Sequence, residues 1–431
     1  MFYTEKMLKL IVPKLKEKKA KKRRLLIFIF IALFILLALI LGPTIYKIVE
    51  VKIYQHQIAA FYSPSADLKN KKPGDVLKLE EIKTPVVGGK AYRLLYVSQL
   101  PDDTLVPVSG VIYVSDKDIK NKNIVAWAHG TVGLGASCAP SKSLAPTAIL
   151  QPWITMMMEK GWIVVATDYS GLGISGEKQY LVGESEAKDV LNSIRAAKNL
   201  SQFNPGEKAA VFGHSQGGHS TLFTANLNSS YAKDINLVGV VAAAPATELN
   251  ALFATQYDKP LVWAIAPEIY VSWLDRFKLP TSVIDPGMTE KRNQEIANLC
   301  ITAAGARAIF NSKLGKKYFV SNPTENKLWY EAFSAESPEP VLGTPVMVLQ
   351  GLADTVVLPN ATALYVKKSC AVGSNLSSFW YKDVSHAELP NVTSDDTLDW
   401  LNSRFDGEKA ESNCALPLPI SPAAEVFTPV N

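Results

Sequence analysis

The chain has 431 residues, 48% hydrophobic and 20% charged, the proportions of a globular protein with a large core. Its formal net charge of +5 misleads, because residues 1–24 hold ten Lys/Arg and two Glu, leaving 35 basic and 38 acidic residues in the remainder. The body of the protein therefore has no basic surplus, and no nucleic-acid partner is expected.

The basic cluster has a different reading. Lys18, Lys19, Lys21, Lys22, Arg23 and Arg24 directly precede residues 25–41, 17 positions without a polar or charged side chain. That length is near the lower limit of about 17 residues for a helix that crosses a bilayer, and Gly42-Pro43 supplies an end. Positive charge on the N-terminal flank holds that end in the cytoplasm and sends the rest across. The rival is a cleaved signal peptide, for which the apolar run is long and no small-x-small pair follows cleanly. The expected organisation is a cytoplasmic basic segment over 1–24, a single-pass transmembrane signal anchor over 25–42, a juxtamembrane connector over 43–75 and a folded domain over 76–431 on the exported side. Cys138, Cys300, Cys370 and Cys414 all lie on that side and none forms C-x-x-C, so two disulfides are expected, with three pairings open.

Within the domain, residues 92–97 and 106–114 read as strands flanking a turn at Pro101-Asp102-Asp103. Buried-strand candidates follow at 124–128, 162–167 and 209–212, then at 237–243, 346–350 and 378–382. Residues 184–200 carry Ala187, Val190, Leu191, Ile194 and Ala197 at helical spacing. Strands alternating with helices predict an α/β protein with a mostly parallel sheet covered on both faces. Residues 245–340 break that rhythm and read as several helices, placed where an insertion lies over the carboxyl ends of the strands.

Gly213-His214-Ser215-Gln216-Gly217-Gly218 follows the apolar stretch 209–212 and precedes a helix-compatible run. This is G-x-S-x-G in a strand–turn–helix context, which holds a serine on a tight turn with its hydroxyl exposed. A serine needs a base to take its proton and an acid to orient that base. In the α/β-hydrolase arrangement these follow in the order Ser…Asp/Glu…His. Of the five histidines only His386 comes well after Ser215, in a loop just past the last strand candidate. Asp354 follows the strand 346–350 through Gly351-Leu352-Ala353 and lies 32 residues before His386; Asp383, three residues from His386, is the poorer rival. The oxyanion donors are expected to be the backbone N–H groups of Gln216 and of Thr131, in the loop after the strand 124–128. His129 and Asp168 are read as structural, Glu184 and Glu186 as carboxylates near a helix start. His129, His214 and His219 do not have metal-ligand spacing; no metal and no cofactor is expected. In the insertion, Trp263, Tyr270 and Trp273 are candidates for an apolar acyl pocket, the alternative being the insertion's own small core.

Taken together, Trp127-Ala128-His129-Gly130-Thr131, Ala166-Thr167-Asp168-Tyr169-Ser170-Gly171-Leu172-Gly173, residues 213–218, Ala244-Pro245-Ala246-Thr247-Glu248-Leu249 and Gly351-Leu352-Ala353-Asp354 resemble the secretory lipases of the lipase-A type over residues 75–415. The resemblance implies an α/β-hydrolase fold with a helical cap, carboxylic-ester hydrolysis by Ser215, Asp354 and His386, and disulfides Cys138–Cys300 and Cys370–Cys414. It implies an ester or lipid substrate; the membrane is a further partner through the N-terminal helix. An acyltransferase using the same triad and a non-catalytic hydrolase-like binding module are the competing readings. A binding module usually lacks a triad member, and all three are present here.

Overall fold

The computed structural model describes residues 2–63, 67–143, 151–427 and 429. These form two compact units, residues 1–59 and 60–431. The first is one helix, α1 (Phe2–Ile58). Its stretch Lys21–Ile58 is long and apolar enough to cross a membrane by length and composition. Leu25, Phe28, Phe30, Phe34 and Leu39 stand exposed along it. The expected stop at Gly42-Pro43 is absent: the helix runs through both residues, and the connector is helical as far as Ile58. An interior proline both removes a donor from the ladder and crowds the preceding turn, yet α1 is continuous across Pro43.

The second unit is built on a nine-stranded sheet ordered β1-β2-β3-β5-β4-β6-β7-β8-β9. Its strands are β1 (Val76–Val86), β2 (Gly89–Gln99), β3 (Leu105–Ser115), β4 (Lys122–Ala128), β5 (Ile163–Thr167), β6 (Pro205–His214), β7 (Asn236–Ala243), β8 (Val346–Gly351) and β9 (Leu376–Tyr381). β1, β2 and β3 form an antiparallel meander, and β3 joins β5 antiparallel. From β5 through β4, β6, β7, β8 and β9 every pairing is parallel, so these strands end at the same edge. β1 is the strand that sequence reasoning passed over: Pro85 and a run of charged residues obscure its alternation.

Successive residues of a strand face opposite sides of the sheet, and two cores result. Ile124, Ala126 and Val211 pack on one side against Val190, Leu191 and Ile194 of α3 (Gly183–Lys198) and Leu222 of α4 (Gln216–Tyr231). Val125, Trp127 and Phe212 pack on the other. There they meet Trp153 and Met157 of α2 (Gln151–Lys160), Leu389 of α11 (Leu389–Val392), and Leu401 and Phe405 of α12 (Ser394–Phe405). Between β7 and β8 the chain forms a cap of α5 (Leu249–Gln256), α6 (Val262–Trp273), α7 (Glu290–Ala297), α8 (Ile301–Lys313) and α9 (Lys327–Ala335), with a separate core that includes Trp273, Phe319, Trp329 and Phe333. α10 (Pro359–Ala371) connects β8 to β9.

Candidate active site

Four strand ends deliver the chemistry. β6 ends at His214, and Ser215 turns the chain into α4 with φ 62° and ψ −120°. A non-glycine residue held there stores about 1–3 kcal/mol of strain. The surrounding structure imposes it: Ser215 N donates to Ala243 O at 2.9 Å, and Ser215 O accepts from His219 N at 3.1 Å. The turn closes only because two neighbours lack a side chain. A Cβ on Gly213 would run into Gly217 O, and one on Gly217 into Ala128 O.

β8 leads to Asp354, which is 3% exposed and held on both oxygens. Oδ1 accepts from Val356 N at 2.8 Å and Val357 N at 2.9 Å. Oδ2 accepts from Gln350 Nε2 at 3.3 Å and faces His386 Nδ1 at 2.7 Å. His386 comes from the loop after β9 and opens with Ser215 onto one cavity of about 320 Å³. Asp383, the rival acid, is an exposed turn residue with φ 60°.

Gln216 and the loop after β4 border Ser215 in the same cavity. Gln216 is the first residue of α4, and the first N–H groups of a helix have no acceptor one turn back. The loop after β4 passes beside Ser215: a Cβ on Gly130 would stand 3.5 Å from Ser215 Cβ. Thr131 follows, its Oγ1 2.9 Å from the Tyr180 hydroxyl. The cavity beyond is apolar, walled by Leu249, Leu252 and Phe253 of α5, Val262 and Ile265 of α6, and Val357.

A model of the secretory lipase family matches residues 145–413. The chain belongs to that family. Among curated proteins it is similar to the secreted triacylglycerol lipase LIP7 of Malassezia globosa, 24% identical over 409 residues that cover 85% of this chain and 83% of that one. It is similar to lipase A of Moesziomyces aphidis at 21% identity over 387 residues, 83% and 82% of the two chains. Candida antarctica lipase A in its closed state superposes with a TM-score of 0.66 at 18% identity over 86% of this chain and 92% of that one. The rice cell wall degrading esterase LipA of Xanthomonas oryzae superposes with a TM-score of 0.64 at 16% identity, over 78% of this chain and all of that one. The protein is thus a carboxylic ester hydrolase with the α/β-hydrolase fold, of an exported lipase family.

In this lipase the three aromatic pocket candidates lie elsewhere. Trp263, Tyr270 and Trp273 are buried in the cap's own core and do not line the cavity. Trp273 is wholly buried and donates from Nε1 to Tyr180 O at 2.8 Å; Trp263 packs edge-on to Tyr318. The cap needs a centre of its own, and its largest side chains fill it, leaving mid-sized residues of α5 and α6 to face the cavity. The cysteines pair as Cys138–Cys300 and Cys370–Cys414. His129 is a brace, its ring bonded to Gly130 O at 2.7 Å and Asp168 O at 3.3 Å. Asp168 is buried and accepts from Ser109 Oγ, Ser141 N and Ser141 Oγ; burial raises its pKa.

Two participants escaped the sequence reading. His214 packs on His386 with the rings tilted by 39° and their centroids 4.4 Å apart, and burial, with the neighbouring His386 ring, lowers its pKa to about 3. It therefore packs against His386 as a neutral ring. Glu186 is the second. It lies in the first turn of α3, but unlike Glu184, which pairs with Lys188 at 2.9 Å, it is wholly buried. The signal was present: Glu186 precedes Val190 and Ile194 at steps of four, which puts it on the helix's apolar stripe.

Proposed function

We propose that this chain is a membrane-anchored, exported serine esterase or lipase that cleaves carboxylic esters through an acyl-enzyme on Ser215. The observation that carries the reading is the 2.7 Å contact of Asp354 Oδ2 with His386 Nδ1, opening onto the same apolar cavity as the strained Ser215. His386 Nε2 takes the Ser215 proton as Oγ attacks the ester carbonyl carbon. The carbonyl oxygen becomes an oxyanion facing the N–H groups of Gln216 and Thr131. Collapse breaks the bond to the alcohol, which leaves with the proton from His386 and deposits the acyl group on Ser215. Water then gives its proton to His386 and repeats the attack, releasing the carboxylic acid and restoring Ser215. Asp354 keeps the proton on Nδ1 throughout, so Nε2 is free to accept. The acyl chain lies against α5 and α6, where apolar contact favours a hydrocarbon chain.

A fluorophosphonate should label Ser215 and no other residue, and Ser215→Ala should abolish hydrolysis of p-nitrophenyl esters with the melting temperature unchanged. Labelling at a different serine, or an active variant, would overturn the assignment. The anchor is read from α1: Lys18 to Arg24 supply the cytoplasmic charge, and residues 25–41 the apolar span. The full chain should stay with membranes through alkaline carbonate, with its catalytic domain open to protease added from the exported side. A soluble product lacking residues 1–41 would instead mean a cleaved signal.

A further inference from the structure

Glu186 contributes no group to the triad, yet its carboxylate has four partners beside the nucleophile, as many as Asp354. Oε1 accepts from Gln216 Nε2 at 2.6 Å and from Leu181 N at 2.9 Å. Oε2 accepts from Ser220 Oγ at 2.5 Å and faces His219 Nδ1 at 3.3 Å. His219 Nε2 donates onward to Glu336 O at 2.9 Å. The carboxylate is fully buried, 0% exposed, so every lone pair must find its partner inside the protein.

Those partners converge on the two oxyanion donors. Gln216 is one of them, and its side chain is the lever by which Glu186 holds the first residue of α4. His219 and Ser220, about one turn on, are gripped by the other oxygen, so the N-terminal turn of α4 is clamped at both ends. Leu181 leads to the second donor. It sits at φ 51°, a strained position, with its N–H fixed by Glu186. The residue before it, Tyr180, carries the hydroxyl 2.9 Å from Thr131 Oγ1. One carboxylate therefore reaches Gln216 directly and Thr131 through two residues, and both sides meet at the same cavity wall.

We infer that Glu186 is the positioning residue of the oxyanion hole, holding the Gln216 and Thr131 N–H groups in register from beneath the nucleophile turn. The inference rests on the triad reading above and adds to it a specific division of labour. Glu186 touches no substrate. It acts through Gln216 and the Tyr180-Leu181 segment, so its loss should be felt where the oxyanion forms and not where the ground-state ester binds.

The test compares the full chain with Glu186→Ala, Glu186→Gln and Gln216→Met. Deleting an oxyanion donor outright costs about 10²–10³ in kcat, and loosening a donor that is still present should cost less, about 10–100-fold. Glu186→Ala should show that loss in kcat for p-nitrophenyl butyrate with KM within about twofold of the parent. Affinity for a trifluoromethyl ketone, whose adduct with Ser215 carries an oxyanion, should fall by the same factor. Glu186→Gln should recover most of both, because its amide oxygen still accepts from Gln216 Nε2 and Leu181 N. Gln216→Met keeps the backbone donor and removes only the tether, so it should lower kcat as Glu186→Ala does, and combining the two should add little further loss. A Glu186→Ala enzyme that melts earlier but keeps its kcat and ketone affinity would show a purely structural carboxylate. If that variant does not fold, an unchanged kcat in Gln216→Met overturns the inference by itself. Phosphonate labelling separates the two layers: loss of Ser215 labelling in the parent sinks the triad, while normal labelling with unaffected variants sinks only the role of Glu186.

Discussion

Replacing Asp354 by Asn changes one atom, and the structure dictates where that atom goes. Oδ1 is fixed by two backbone donors, Val356 N and Val357 N, so the amide oxygen of the variant must occupy that position. Its NH2 group is then forced into the place of Oδ2, opposite His386 Nδ1. An amide donor there requires Nδ1 to accept, which moves the imidazole proton to Nε2. A protonated Nε2 cannot take the Ser215 proton, and the nucleophile stays an alcohol. The equivalent change in a serine protease lowers kcat about 10⁴-fold with intact geometry, or about 5.5 kcal/mol of barrier. The same loss is expected here, with KM within a few-fold of the parent, because the acyl cavity is lined by other residues. Asp383→Asn should leave kcat within about twofold, since that residue is an exposed turn residue. The assay is steady-state hydrolysis of p-nitrophenyl butyrate by the two variants side by side. A Asp354→Asn enzyme within tenfold of the parent, or an Asp383→Asn enzyme that is the slower of the two, would refute the reasoning.

Three further outcomes follow from the packing. Trp273→Ala should cost about 3–5 kcal/mol of stability through the cavity it leaves, seen as an earlier melting transition, while the chain-length profile stays that of the parent; a shifted profile would return Trp273 to the pocket. Ile265→Trp should do the reverse, filling the acyl cavity so that long-chain esters lose about tenfold in kcat/KM relative to butyrate, with a uniform loss across all chain lengths counting against an acyl role for that wall. Glu268 is buried with no hydrogen-bond partner on either carboxylate oxygen, and burial raises its pKa well above the usual range. A raised pKa in the folded state gives a contribution fully present below the unfolded value and lost as pH rises through the folded one. Melting temperatures at pH 5 and pH 8 should therefore diverge less in Glu268→Gln than in the parent, and an unchanged difference would mean the carboxyl is not the source.

The fold was readable because it repeats one rule. Each parallel strand from β4 to β8 carries a short apolar run bounded by turn residues, and α3 shows its buried stripe in Val190, Leu191 and Ile194. The proposed triad was legible for a different reason, namely scarcity: one histidine lies well downstream of Ser215, and of the two candidate aspartates Asp354 follows the strand β8 while Asp383 stands only three residues from His386. What stayed hidden depends on three-dimensional closure. Sequence spacing cannot say whether Trp263 and Trp273 face the cavity or the cap's own core, since both are apolar helix residues in the same insertion. Nor can it say that Glu186 points inward while Glu184, two residues earlier, reaches Lys188 near the surface. β1 was lost to local chemistry, its alternation broken by charge and by Pro85.

The bridge between Cys138 and Cys300 carries a mechanical consequence. Cys300 stands immediately before α8, and Cys138 lies on the loop that continues from Thr131. Two hydrogen bonds flank the bridge, Ile301 N to Val132 O at 2.9 Å and Leu134 N to Ala297 O at 2.7 Å. The cap is therefore riveted along one margin to the loop that carries Thr131. It cannot lift away there as a free lid without drawing on the loop that the proposed mechanism uses. A displacement of the start of α8 would be passed across this margin, through a covalent bond and two hydrogen bonds, to the segment that carries Thr131.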